Sequence, residues 1–98
     1  MIVSFRDAWL QDFYLDDLRS RHVPPDLEVR LFRRLKMIDA ATTDQDLRVP
    51  PSNHFERLRG NLAGWCSVRV NVRYRLVFQW KSETGDASQV YLDDHSYH

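Results

Sequence analysis

Five arginines in one short stretch are the residues of this sequence best suited to chemistry. The stretch runs from Glu56 to Phe78, and Glu56 is its one acidic residue. Its arginines are Arg57, Arg59, Arg69, Arg73 and Arg75. Guanidinium groups match the geometry of phosphate oxygens, stack on bases and stay charged at any working pH. The pattern therefore favours a surface that binds an anionic polymer.

Groups that can move protons cluster at the C-terminal end of the chain. They are Asp93, Asp94, His95 and His98. Because RNA carries its own nucleophile, the 2′-hydroxyl, its cleavage needs only a base, an acid and cations that stabilise the phosphorane. The composition therefore allows RNA cleavage without a metal. The alternative is that the arginines only keep a strand soluble and that the terminal groups form a solvated tail.

Other catalytic chemistries find less support in the sequence. The terminal Asp and His residues lack the helix-borne histidine pair of zinc proteases, and Cys66 has no second cysteine to form a thiolate pair. Cys66 lies in an apolar run, which favours a small buried hydrophobe over a nucleophile. The sequence has no Gly-x-Ser-x-Gly elbow and no phosphate-binding glycine loop. We therefore expect neither a metal nor a cofactor.

Length and charge set the broad class. The 98 residues form one domain, 1–98, with a single modest core. The net charge is zero, but between Gln45 and Lys81 seven basic residues face two acidic ones. This basic middle third is typical of a binding patch. The single cysteine, the lack of a signal-peptide core and the lack of a long apolar run favour the cytoplasm.

Hydrophobic periodicity predicts six elements in the order strand, helix, helix, strand, strand, strand. They cover residues 1–5, 8–18, 25 to 40 or 41, 65–70, 74–80 and 88–92. Asn71-Val72-Arg73 is predicted to join the two central strands as a hairpin. The order predicts an α+β domain in which the N-terminal strand and two helices pack on an antiparallel sheet.

Two features leave alternatives open. The second helix has a basic face, which is either a solvated surface or the seat of an acidic partner. The residues of this face are Arg30, Arg33, Arg34 and Lys36. His54 either faces the arginine-rich surface or serves as a capping or core histidine.

The chain resembles the HigB-type toxins of bacterial type II toxin–antitoxin systems, which are relatives of RelE. The resemblance covers nearly the whole length, and the order and spacing of its segments make it specific. One segment contains Ile38-Asp39-Ala40-Ala41, similar to the family's Ile/Leu-Asp-Ala-Ala motif. The segments are residues 1–5, 35–42, 46–53, 58–61, 64–71 and 74–78.

The resemblance implies a fold, an activity and partners. The fold would be RelE-like and similar to that of microbial ribonucleases, and the activity would be cleavage of mRNA in the A site of the 30S subunit. A helix-turn-helix antitoxin of the HigA type would neutralise the toxin, and operator DNA would be bound only through that complex. The alternative function is a non-catalytic module that inhibits translation by occupying RNA or the ribosome. A co-repressor acting at DNA is less favoured, because no helix-turn-helix is recognisable in the chain.

The resemblance also implies roles for individual residues. Arg59, before the family's glycine, would steady the scissile phosphate, and Arg75 would stabilise the transition state. The family often ends in Asp-Tyr-His, from which this chain departs with Asp94-His95-Ser96-Tyr97-His98. Asp94 takes the aspartate position, and His95 is the preferred counterpart of the histidine because it adjoins the last strand. RNA contacts are predicted for the remaining residues, Arg57, Arg69, Arg73, His54 and His98.

Overall fold

Four antiparallel strands, ordered as in the sequence, form the sheet of this protein. The structure is a computed structural model that describes residues 1–94. Its strands are β1 (Glu56–Arg57), β2 (Trp65–Arg69), β3 (Tyr74–Lys81) and β4 (Asp86–Asp94). Its helices are α1 (Ala8–Asp16), α2 (Glu28–Ala40) and α3 (Asp44–Leu47). The predicted α+β class with an antiparallel sheet is confirmed.

Helix α2 covers one face of the sheet with an apolar stripe. Leu31, Leu35 and Ile38 follow one another at four- and three-residue spacing and are fully buried in the core. Burial of each side chain contributes about 1.5–3 kcal/mol. A short 3-10 turn, Pro25–Leu27, precedes the helix, so the predicted start at a proline is confirmed. In the described part of the chain, no helix is long and apolar enough to cross a membrane.

The predicted hairpin of β2 and β3 is confirmed. Its turn is fixed by Asn71, whose Oδ1 accepts the backbone N–H groups of Arg73 and Tyr74 at 2.8 and 2.7 Å. Because side chains alternate along a strand, Cys66 and Val68 point into the helix-covered core. Burial raises the pKa of the Cys66 thiol, as expected of a packing residue.

The N-terminal segment is not the strand that the sequence predicts. Residues 1–5 make only two isolated parallel bridges to β4, Ile2 with Ala87 and Phe5 with Val90. The ladder is interrupted because Gln89 adopts a left-handed conformation (φ 55°) and gives its N–H to the Ser4 hydroxyl at 2.9 Å. Backbone hydrogen bonds still tie the segment to β4, such as that from the Val3 N–H to the Ala87 carbonyl oxygen at 2.8 Å, and the Ile2 N–H donates to Asp39 Oδ1 of α2 at 2.8 Å.

Strand β1 has no counterpart among the predicted elements. It pairs with β2 through Glu56 opposite Ser67 and Arg57 opposite Cys66. The connector that leads to it is anchored by the buried Asn53, whose Nδ2 donates to the carbonyl oxygens of Leu47 and Val49 at 3.2 and 3.1 Å. This anchor sets the place where the chain enters the sheet edge.

Candidate active-site cleft

The face of the sheet away from the helices carries a row of charged residues. Arg69 of β2 lies opposite Arg75 of β3, and Arg75 lies opposite Asp93 of β4. Glu56 and Ser67 form the neighbouring row on the same face. Strand register alone therefore brings side chains from four strands to one surface.

A cleft with a volume of about 60 Å³ opens on this face beside the β2–β3 turn. Its lining residues are His54, Glu56, Ser67, Arg69, Asn71, Val72, Arg73, Tyr74 and Arg75. Three guanidinium groups and one carboxylate belong to this lining, so its charged side chains are mainly basic. Of the residues predicted for the site, the fold brings four together here: His54, Arg69, Arg73 and Arg75.

Arg75 is held in one orientation by a neighbouring strand. Its Nε donates to Asp93 Oδ2 at 3.0 Å, and the two side chains are only 24% and 23% exposed. Within residues 1–94 the two terminal guanidinium nitrogens of Arg75 make no further hydrogen bond. A cation fixed at one edge and open at the other is suited to stabilising the charge that develops on a phosphorane.

Arg73 lies at the rim of the cleft and forms a forked pair with Asp94. The distances to the carboxylate oxygens are 3.1 Å and 3.2 Å from Nε and 2.8 Å from Nη2. These hydrogen bonds and the charge of Asp94 raise the pKa of Arg73 above its ordinary value. Asp94 lies opposite Tyr74 in the register, one residue out of phase with Asp93. The two aspartates therefore engage different arginines.

Two of the predicted arginines lie outside the lining of the cleft. Arg57 forms an ion pair with Asp44, and its guanidinium lies 5.9 Å from the ring centroid of Phe55. Arg59 is exposed and precedes the 3-10 turn Gly60–Leu62. His95 and His98 lie outside the described residues. Roles in RNA binding or catalysis for these four residues stay predictions.

Sequence reasoning gave the Glu56 carboxylate no role and missed the pairing of Asp93 with Arg75. The Glu56 carboxylate lines the cleft and forms no hydrogen bond or ion pair with another side chain of residues 1–94. Its strand is two residues long, too short to show a periodic pattern. Asp93 was among the proton-transfer candidates of the sequence, and its direction could have been predicted, because Leu92 faces the core and alternation then turns Asp93 to the open face.

Comparisons with known proteins assign the chain to a family. The family model described as "RelE-like toxin of type II toxin-antitoxin system HigB" matches residues 3–95. The chain belongs to this family. The predicted HigB and RelE relationship is thereby confirmed, and membership of a type II toxin–antitoxin family implies an antitoxin partner.

Relatives match the HigB-family chain over nearly its full length. It is 54% identical over 97 residues to Toxin HigB-1 of Vibrio cholerae serotype O1, a match that covers 99% of this chain and 100% of that protein. It is 40% identical over 93 residues to an uncharacterized protein of Haemophilus influenzae, with coverage of 95% and 90%. The solved YoeB/ParE toxin from Agrobacterium tumefaciens has a TM-score of 0.51 at 15% identity and coverage of 94% and 96%, which shows a shared fold.

Proposed function

We propose that this HigB-family toxin is an endoribonuclease that cuts mRNA in the A site of the 30S subunit, without a metal, and so stops translation in the cytoplasm. The observation that supports this most is the convergence of Arg69, Arg75 and Glu56 in one cleft. Oriented guanidinium groups and a carboxylate are the groups that metal-free attack by a 2′-hydroxyl requires.

The arginines stabilise negative charge on the substrate. Arg75 stabilises the phosphorane, because Asp93 fixes its Nε edge and leaves its terminal nitrogens open to the cleft. Arg73 and Arg69 contact backbone phosphates on either side of it. Binding through these phosphate contacts weakens as the salt concentration rises. Arg59 steadies the scissile phosphate, as the family resemblance implies.

Proton transfer uses the carboxylates around the cleft and the end of β4. The Glu56 carboxylate takes the proton of the 2′-hydroxyl, because it lines the cleft and is engaged by no other side chain of residues 1–94. His95 supplies the proton for the leaving 5′-oxygen, and Asp94 takes part as the carboxylate that holds Arg73 in place. Asp94 is already at the rim through its forked pair with Arg73, and His95 follows it directly in the chain.

Occupancy without cleavage is the second candidate. It is favoured by the fact that Arg73 and Arg75 are each engaged by an aspartate. These carboxylates offset part of the positive charge, as they do on a surface that only binds. In both candidates the partners are mRNA, the ribosome and a HigA-type antitoxin, with operator DNA reached only through the antitoxin complex.

Primer extension on mRNA from expressing cells separates the two candidates. We expect new 5′ ends with the wild-type protein and with the control Arg33→Ala, which removes an exposed arginine outside the cleft. We expect none with Arg75→Ala at equal protein level. Growth arrest by the wild-type protein without new 5′ ends contradicts the nuclease and supports occupancy.

The dependence on the ribosome is tested with purified components. The toxin is incubated with free mRNA and with the same mRNA on 70S ribosomes whose A site is empty. We expect cleavage only on the ribosome and within the A-site codon. Equal cleavage of free mRNA contradicts the ribosome requirement while leaving the endoribonuclease intact.

A further inference from the structure

A second basic pocket adjoins the cleft. Arg30 and Arg34 of α2 and Arg69 of β2 line it, and no carboxylate of residues 1–94 does. The pocket shares Arg69 and His54 with the cleft, so the two are continuous. Its arginines come from both layers of the fold, and the sequence showed only that α2 has a basic face.

The pocket is built rather than incidental. Arg30 and Arg34 are one helical turn apart and lie on the same side of α2. Arg34 Nε donates to the backbone carbonyl oxygen of Arg69 at 3.0 Å, which ties the helix to the end of β2. This bond fixes the position of one guanidinium group and leaves its terminal nitrogens for another acceptor.

The arginines of the pocket repel one another. Like charges four residues apart on a helix repel each other. Burial, and then the charge of Arg30, lower the pKa of Arg34 from its ordinary value. Because no carboxylate of residues 1–94 lines the pocket, an anion from outside would relieve the repulsion and add charge-assisted hydrogen bonds.

We propose that Arg30, Arg34 and Arg69 form a second phosphate subsite, which binds a backbone phosphate of the same RNA strand next to the one cleaved in the cleft. The inference rests on the proposed function and adds Arg30 and Arg34 to the contact that Arg69 makes with a neighbouring backbone phosphate. Continuity with the cleft favours a polymer that crosses both sites. Val72, 92% exposed at the turn, is shared by both pockets and lies on the path between them.

An RNA strand fits the pocket better than an acidic protein segment does. A protein partner is held mainly at a desolvated interface core that is largely apolar and depleted of charged residues. This pocket offers guanidinium and polar groups instead, and its one exposed apolar residue is Val72. Repeated phosphates held by arginines need no apolar anchor.

The test compares two double variants of α2 that lose the same charge. Arg30→Ala/Arg34→Ala removes the subsite, whereas Arg33→Ala/Lys36→Ala removes two exposed cations of the same helix outside it. Binding to a 2′-O-methylated trinucleotide and to a longer 2′-O-methylated oligonucleotide is measured by fluorescence anisotropy at several salt concentrations. The 2′-O-methyl group blocks the nucleophile, so binding is read without cleavage.

We expect the subsite variant to bind the longer oligonucleotide about tenfold more weakly than wild type, the size of one charge-assisted contact. Its slope of log affinity against log salt should fall by about 0.7, the value for one phosphate on a single strand. The affinity of the subsite variant for the trinucleotide, and the affinity of the control variant for either oligonucleotide, should change less. Because Arg34 also ties α2 to β2, the single variants Arg30→Ala and Arg33→Ala are compared in the same way, and urea unfolding checks the fold.

Equal losses in the two double variants overturn the subsite, because they reduce it to a general charge effect. Loss of antitoxin co-purification with an unchanged salt slope overturns it in favour of an acidic protein partner. Primer extension with the wild-type toxin is run alongside. If no new 5′ ends form, the nuclease proposal fails, while the salt slope still decides the subsite.

Discussion

Two corners of the molecule each pair aspartate with arginine, and they differ in what else contacts the carboxylates. At the α3 corner, Asp44 Oδ1 accepts the Trp80 indole N–H at 2.6 Å and the Ser82 hydroxyl at 3.0 Å, and Oδ2 pairs with Arg57. Both carboxylate oxygens of Asp44 therefore have partners within the fold. This saturation favours a structural role for Asp44.

The end of β4 presents the opposite case. Asp93 and Asp94 engage Arg75 and Arg73, two arginines that line the cleft. The pairing orients the guanidinium groups without saturating them, so a phosphate can still be bound. An acid–arginine pair therefore does not reveal its role by itself. The position of the arginine decides it, because Arg73 and Arg75 line the cleft and Arg57 does not.

The largest effect should come from Arg75→Ala. Removal of one preorganised donor to the transition state typically lowers kcat by about 10²–10³. We expect a loss of this size in ribosome-programmed mRNA cleavage, with a circular dichroism spectrum like that of the wild-type protein. Arg57→Ala at the other corner should retain most of its cleavage activity. Equal losses in both variants contradict the comparison and support the predicted RNA contact of Arg57.

Asp93→Asn and Asp94→Asn separate the roles of the two aspartates at the end of β4. Because Asp93 positions Arg75, Asp93→Asn should lower kcat by up to about 10²-fold, the cost of a misplaced catalytic group. Asp94→Asn frees Arg73 at the rim, and the geometry predicts a smaller kcat loss and a change mainly in KM. Single-turnover cleavage on programmed ribosomes measures both. A larger kcat loss in Asp94→Asn supports the catalytic role that the sequence predicts for it.

Asp44→Ala should affect stability rather than activity. It leaves the indole N–H of Trp80, a residue that is 8% exposed, without its acceptor, and this costs about 1–3 kcal/mol of unfolding free energy. Urea unfolding measures the loss, with Asp12→Ala on the exposed side of α1 as the control. A kcat loss without destabilisation in Asp44→Ala would show that the α3 corner is functional.

The smallest effect is expected for Asp46→Asn, and it should appear in the pH dependence of the free energy of unfolding. The backbone N–H groups of Thr42 and Thr43 lower the pKa of the Asp46 carboxyl from its usual 3.8. Because the pKa of this carboxyl is lower in the folded than in the unfolded protein, the ionised carboxylate stabilises the fold fully at a pH above the unfolded pKa. This stabilisation is lost as the pH falls through the folded pKa.

The wild-type protein should therefore have a higher free energy of unfolding than Asp46→Asn at neutral pH, and the difference should be smaller at an acid pH below the usual 3.8 of the carboxyl. Urea unfolding at both pH values gives the comparison, with the exposed Asp26→Asn as the control. A difference that stays constant with pH rules out the carboxylate as its source.

The sequence determined the elements whose pattern is local. The spacing of Leu31, Leu35 and Ile38 gave α2, and the alternation of apolar residues with Arg69 and Arg75 gave the β2–β3 hairpin. In both cases the apolar residues of the buried face recur with the period of the helix or strand. The pattern can therefore be recognised without knowing which element packs against that face.

Only the tertiary structure decided how these groups pair. Strand β1 forms because β2 lies beside it, and the N-terminal segment fails to form a full ladder because of Gln89 in β4. Contacts of this kind join residues far apart in the chain, and no local pattern encodes them.

The same reason governs the candidate site. The residue types were readable from the sequence, but their direction was not, since neighbouring residues of a strand point to opposite faces. A shift of one residue along β4 decides that Asp93, rather than Asp94, pairs with Arg75. In β1 the same alternation directs Glu56 into the cleft, whereas Arg57 pairs with Asp44. Composition therefore supplied the chemical groups of this toxin, and strand register decided which of them meet.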